Sequence, residues 1–262
     1  MKPTFIIFLI AFLTLSVKVY PQFLERESNP GDTLLNNILL RHEFSGGGMF
    51  HTMGWGGTIR KSYSVDYFTK RLFEFDLVGM RDIKQVRVNP YGVVYSNARS
   101  YVYGKLNKFY LLRGGIGSEK LLNEKPYWGG VEIRLHYSGG FDLGLAKPIY
   151  LYILELDQPL PPYGALPKKI ERYDPDKHFR EDIFGRASFF EGITETTLHP
   201  GVYIKAGLNF EFGTANVKTD AIEVGGVIDF LAVPAEIMAK SGKRYYFATL
   251  YLAYTFGKRW NR

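Results

Sequence analysis

The stretch Gly201–Gly213 (Gly-Val-Tyr-Ile-Lys-Ala-Gly-Leu-Asn-Phe-Glu-Phe-Gly) alternates without a phase break. Val202, Ile204, Ala206, Leu208, Phe210 and Phe212 are apolar, while Tyr203, Lys205, Gly207, Asn209 and Glu211 between them are polar, small or amphipathic. A period of two means a strand with one greasy face and one wet face. A strand in a soluble sandwich runs about 5–6 residues, whereas a tilted strand crossing a bilayer needs roughly 9–11. The length of this one points to a membrane, and it restricts the chain to architectures that pair every strand edge.

The same pattern recurs along the chain. In Arg71–Met80, Phe73, Phe75 and Leu77 oppose Glu74, Asp76 and Val78. In Trp128–Leu145, Val131, Ile133, Leu135, Tyr137, Phe141, Leu143 and Leu145 oppose Glu132, Arg134, His136, Ser138 and Asp142. In Ala221–Leu231, Ile222, Val224, Ile228 and Phe230 oppose Glu223, Val227 and Asp229. Ala98–Tyr103 and Phe109–Ile116 flank a turn-like Gly104–Asn107 and read as a hairpin. Ser45–Ile59 reads as one glycine-rich strand, its glycines marking bends and close packing. The closing segment Arg244–Phe256 is aromatic on both faces. About eight strands result, or ten if Gly139-Gly140 is a turn.

The remaining segments frame this set. Met1–Lys18 has Lys2, an apolar run from Phe5 to Leu15 and a polar exit, the plan of a secretory signal peptide, with cleavage expected near Gln22. Residues 23–44 then form an N-terminal periplasmic segment, in which Asp32 caps a short helix within Arg26–Arg41. The barrel occupies residues 45–262. Within it, Asp157–His199 breaks the alternation with Pro159, Pro161, Pro162, Pro167, Pro175 and dense charge. It is a long surface loop with a helical stretch at Phe179–Phe190.

Taken together, the signal peptide, the alternating strands and the final Tyr246-x-x-x-Leu250-x-Leu252-x-Tyr254-x-Phe256 resemble the small outer-membrane β-barrel proteins, porin-family or OmpX/OmpA-like. The resemblance implies a transmembrane antiparallel up-and-down β-barrel in the outer membrane of a Gram-negative bacterium. Its final strand departs from the family's aromatic ending by continuing into Gly257–Arg262.

With the apolar positions toward lipid, Glu74, Asp76, Glu132, Arg134, His136, Lys205, Glu211, Glu223 and Asp229 face the lumen, joined by Arg113. Eight strands leave an interior only wide enough for side chains to fill, so these charges are expected to pair as a plug. A small porin-like conduit is the alternative, favoured by ten strands. A lipid A-modifying barrel enzyme is the other alternative, yet only His136 lies mid-strand near plausible partners (Glu132, Ser138). The chain has neither Gly-x-Ser-x-Gly nor His-Glu-x-x-His, and its glycine clusters lack Gly-x-x-x-x-Gly-Lys. His178 beside Glu181 and Asp182, and Asp174-Pro175-Asp176, read as solvated loop. With no cysteine there is no thiolate metal site and no lipoprotein anchor. The expectation is therefore a non-enzymatic barrel without metal or cofactor.

Partners follow from charge and from the loop. The net charge of +7, on an exported chain, meets membrane lipid and lipopolysaccharide and not nucleic acid. Tyr163, Lys168, Lys169, Arg172, Tyr173, Phe179, Arg180, Phe184, Phe189 and Phe190 give the long loop the aromatic and cationic residues that dominate interfaces, which suits an envelope or secretion/assembly complex.

Overall fold

A computed structural model describes residues 40–124, 130–155, 167–212 and 217–261. The expected signal peptide, and the periplasmic segment with its Asp32 helix cap up to residue 39, lie outside the described residues, as does Tyr163. Among the described residues there are thirteen strands: β1 His42–His51, β2 Gly54–Ser64, β3 Thr69–Met80, β4 Arg87–Val88, β5 Tyr101–Val102, β6 Asn107–Asn123, β7 Glu132–Pro148, β8 Tyr150–Leu154, β9 Lys168–Arg172, β10 Ile183–Arg186, β11 Thr197–Glu211, β12 Lys218–Ala235 and β13 Arg244–Trp260. Eight of them close a barrel in the order β1-β2-β3-β6-β7-β11-β12-β13, with β13 pairing back onto β1. Every neighbouring pair is antiparallel.

Alternation fixes which face of each strand looks inward. In β11, Tyr203, Lys205, Asn209 and Glu211 are buried, while Val202, Ile204 and Leu208 are exposed. In β3, Glu74, Asp76 and Val78 are buried while Phe73, Phe75 and Leu77 are exposed. Phe141 is 78% exposed and Leu250 68% exposed, two of many large apolar side chains spread over the barrel wall. A water-soluble monomer does not expose apolar surface on this scale. Closure leaves no unpaired strand edge, so backbone satisfaction and apolar exterior agree on a transmembrane β-barrel.

Several expectations are corrected. The barrel begins at His42, not residue 45, because β1 pairs along its whole length with β13. Ser45–Ile59 is two strands joined at Thr52-Met53; Met49 points inward while Trp55 and Ile59 point outward. Gly139-Gly140 lies inside the continuous β7, each residue paired on both sides, so the count is eight and not ten. Tyr101–Val102 pairs with Arg87–Val88, so the hairpin expected across Gly104–Asn107 does not form. Final strand β13 runs past Phe256 to Trp260, taking most of the expected tail into the barrel.

The two ends of the barrel differ. One end carries Arg41, Asn261, the turn 65–68 and the strand ends at Asn123, Glu132, Glu211 and Lys218; it is the turn end. At the other, the loop end, the tight β1–β2 hairpin meets the connecting segments 81–106, 149–155, 167–196 and 236–243. Those connections fold. β8 continues almost directly from β7 and centres a three-stranded sheet ordered β10-β8-β9. Its apolar side packs Ile149, Leu151, Ile153, Tyr173 and Ile183 against Tyr101 of β5. Phe184, Leu154 and Ala98 form a second small core, with Tyr91 and Tyr95 alongside. The expected long loop thus holds a small folded cap, and the helix expected over Phe179–Phe190 is replaced by strand β10. Two β-branched or aromatic positions in a row, Ile183 and Phe184, are better served by a sheet that buries both.

Candidate functional site

The lumen is filled in layers. At mid-height, β2, β3, β6, β11 and β12 each contribute an inward charge, because alternation repeats the same facing every second residue. Arg60 of β2 donates from Nε to Glu74 Oε2 at 2.8 Å, and its Nη1 and Nη2 clasp both oxygens of Glu223 at 2.5 and 2.8 Å. Lys205 Nζ bridges Glu74 at 2.9 Å and Asp76 at 3.0 Å. Arg113 makes a forked pair with Asp229, at 2.6 and 2.9 Å. Tyr251 donates its hydroxyl to Glu223 at 2.6 Å, and Asn209 donates to the same carboxylate at 3.3 Å. Two-point Arg–carboxylate contacts are the strongest geometry for such pairs, and they fix the rotamers of both partners.

A second ionic group lies nearer the turn end. Glu43 accepts from Lys70 and from Arg259, both at 2.8 Å, and Arg259 also reaches Glu211. Arg134 pairs with Glu132, two positions away on β7. Toward the loop end the lumen turns apolar: Met49, Met53, Met80, Phe109, Leu111, Leu231, Ile237 and Phe247 pack together. Buried charge is therefore stacked beneath a hydrocarbon stopper.

His136 stands between carboxylates, with Nε2 3.5 Å from Glu74 and Nδ1 3.5 Å from Glu119. Glu119, His136 and Glu223 present ligand atoms within 4.8 Å of one another, the spacing a metal would need. Both Glu223 oxygens are already engaged by Arg60, Asn209 and Tyr251, so a metal would have to displace a buried guanidinium. The set fits an ion-pair network better than a metal centre. For catalysis the arrangement is equally poor, since His136 lies deep in the wall-to-wall network, away from either rim.

Of the ten residues expected in the lumen, nine are buried and Glu132 is partly exposed, and ion pairs join most of them. Sequence reasoning missed Arg60, Glu43, Lys70, Glu119, Arg259 and Tyr251. Arg60 and Glu43 were hidden by reading β1 and β2 as one strand and by starting the barrel too late. The alternation Thr58, Arg60, Ser62, Ser64 on one face of β2 was the available signal.

The residues expected to form a partner surface divide. Tyr173 and Phe184 are buried in the cap's own cores and offer no surface. Phe184 also carries the Lys168 ammonium over its ring at 4.4 Å. Phe179, Phe189 and Phe190 are exposed, as are Lys168, Lys169, Arg172 and Arg180. His178 is a local brace, its Nε2 3.0 Å from Glu171 and its Nδ1 accepting from the Asp174 amide.

No protein-family model and no curated protein matches the sequence. Among solved structures, the attachment invasion locus protein Ail of Yersinia pestis is similar at 11% identity and TM-score 0.40, over 84% of this chain and 99% of that one. Neisserial surface protein A is similar at 6% identity and TM-score 0.40, over 84% of this chain and 96% of that one. The N-terminal β-barrel domain of Pseudomonas aeruginosa OprF follows at 11% identity and TM-score 0.31, over 83% and 98%.

Proposed function

We propose that this protein is exported by its N-terminal leader to the Gram-negative outer membrane, where it works as a closed, non-enzymatic barrel that presents a folded cap to an envelope protein partner. Short turns and chain ends lie at the periplasmic side of such barrels and long connections at the cell surface. By that rule the turn end is periplasmic and the cap is extracellular. The observation that carries the reading is the filled lumen, in which a five-strand ion-pair layer lies under an apolar stopper. A function that does not pass through the barrel must act from its surface, and the cap is the part that a barrel fold does not need. Phe179, Phe189 and Phe190 are solvent-facing aromatics on it, the residue class that anchors protein interfaces.

The test replaces residues 156–166 and, separately, Phe189 and Phe190 by Ser, in cells producing the protein from its own locus. Blue-native electrophoresis of mildly solubilised outer membranes should show the wild type in an assembly larger than the monomer. The F189S/F190S variant should fall to monomer size while still resisting unfolding in cold detergent. A wild type that migrates only as the monomer would refute the complex-forming role.

A further inference from the structure

Below the cap, a groove of about 1850 Å³ runs down the outside of β1, β2 and β3. That exceeds the roughly 300–1,000 Å³ of a small-metabolite pocket, and its position on the barrel wall faces lipid. Its floor is Gly46, Gly48 and Gly57, and its walls include Trp55, Ile59 and Phe256. Inward glycines of these strands are demanded by packing: a Cβ on Gly47 would lie 1.9 Å from the Tyr254 carbonyl oxygen, and one on Gly56 2.3 Å from that of Leu77. The outward ones are not. A Cβ on Gly48 would meet nothing within 4 Å, and one on Gly57 only a backbone oxygen at 3.5 Å. Backbone packing gives no reason for the furrow, so a ligand is free to supply one.

The upper end of the groove is cationic. Arg81, Arg87, Lys105, Lys108 and Arg186 all line it, at the rim where barrel gives way to cap. Among the described residues none of the five has a carboxylate within 4 Å; Asp82, the acid beside them, is held by Arg244 at 2.8 Å. Lys105 is only 8% exposed and donates to the neutral Gln85 side chain at 2.9 Å. Burial, reinforced by Lys108, Arg81 and Arg87, pushes its pKa down to about 8. Clustered cations that repel one another and lack counter-charges are matched by an anion with several oxygens, such as a phosphate.

We propose that this groove binds a phosphate-bearing, multi-chain lipid of the outer leaflet, its phosphate among the rim cations and an acyl chain along the Gly46–Gly48–Gly57 furrow. The assignment rests on the outer-membrane reading, since it places the rim at headgroup level and the furrow among acyl chains. Lipid bound there would fasten the cap to the membrane surface on one flank of the barrel.

Native mass spectrometry of the detergent-purified full-length protein tests it. The probes are bisphosphorylated hexa-acyl lipid A, the same lipid without its phosphates, phosphatidylglycerol and inorganic phosphate. Bisphosphorylated lipid A should bind at least tenfold more tightly than its dephosphorylated form. R87Q/K105Q/R186Q should abolish that preference. G48L/G57L should weaken the lipid tenfold and leave inorganic phosphate unchanged. Equal binding of the two lipid A forms to the wild type overturns the proposal, whatever the variants do. Inorganic phosphate binding as tightly as the lipid would reduce the site to a free-anion site and also overturn it. Insertion into phosphatidylcholine vesicles is measured in parallel. Failure to insert sinks the outer-membrane reading, whereas insertion without lipid discrimination sinks this proposal alone.

Discussion

The lumen and the cap are built from the same chemistry on opposite plans. In the lumen, charge is buried and apolar groups face outward to lipid. In the cap, apolar groups are buried and charge faces water, as in any small soluble domain. Arg60, Glu74 and Glu223 come from three strands, and the guanidinium holds both carboxylates with almost no solvent contact. Ile183 of the cap is equally buried but holds its neighbours by contact area alone. The difference predicts how each region fails. An ionic lumen fails all at once when one partner is removed, because the others are left charged in a dry space. A hydrocarbon cap fails locally, in proportion to the area lost.

The largest expected effect is therefore Arg60→Met, which leaves Glu74 and Glu223 short of a cation. Breaking a buried pair this way costs about 3–5 kcal/mol. The urea midpoint of the detergent-folded barrel should fall accordingly, and R60M/E223Q should recover part of the loss. A loss below about 1 kcal/mol would mean that water reaches the layer and that the contrast between the regions is wrong.

Ile183→Ala comes next. It removes a fully buried side chain from the cap core, a change worth roughly 2–5 kcal/mol where it acts. Hydrogen exchange should accelerate across β8, β9 and β10 while the amides of β11 and β12 keep their protection. Uniform acceleration through the barrel would show that cap and barrel unfold as one unit.

A smaller effect concerns Lys105 at the junction of the two regions. Its pKa is lowered from 10.5 to about 8 in the folded state, so above pH 8 the unfolded chain binds more protons at this site than the folded one. Stability contributed here therefore rises as pH increases from about 8 toward 10.5, and the penalty is fully present below 8. Exchange at residues 101–106 should slow across that window, relative to the intrinsic rate. K105M should remove the slope, and any unchanged slope would assign it to another group.

What the sequence made legible follows the same division. The alternation in β3, β7, β11 and β12 was readable because a two-faced wall forces it residue by residue. Arg60 escaped because Ser45–Ile59 carries so many glycines that a turn at Thr52-Met53 has no contrast with its flanks. The cap escaped for a different reason. Its strands are only 2–5 residues long, and its core joins Tyr101 to Ile183 across most of two connections. No local period reports a contact of that kind, while the prolines and charges around it resemble open loop. Pairings such as Arg60 with Glu223, 163 residues apart, belong to the closure of the ring and not to either strand.

A lumen filled with paired charge and apolar side chains does not conduct ions. Wild-type protein reconstituted in a planar lipid bilayer, in 1 M potassium chloride under applied voltage, tests this directly. The ion-pair layer and the apolar stopper predict a flat current trace from fully inserted, correctly folded protein. Reproducible ohmic steps whose size scales with voltage would contradict a filled barrel and make the passive conduit the correct reading.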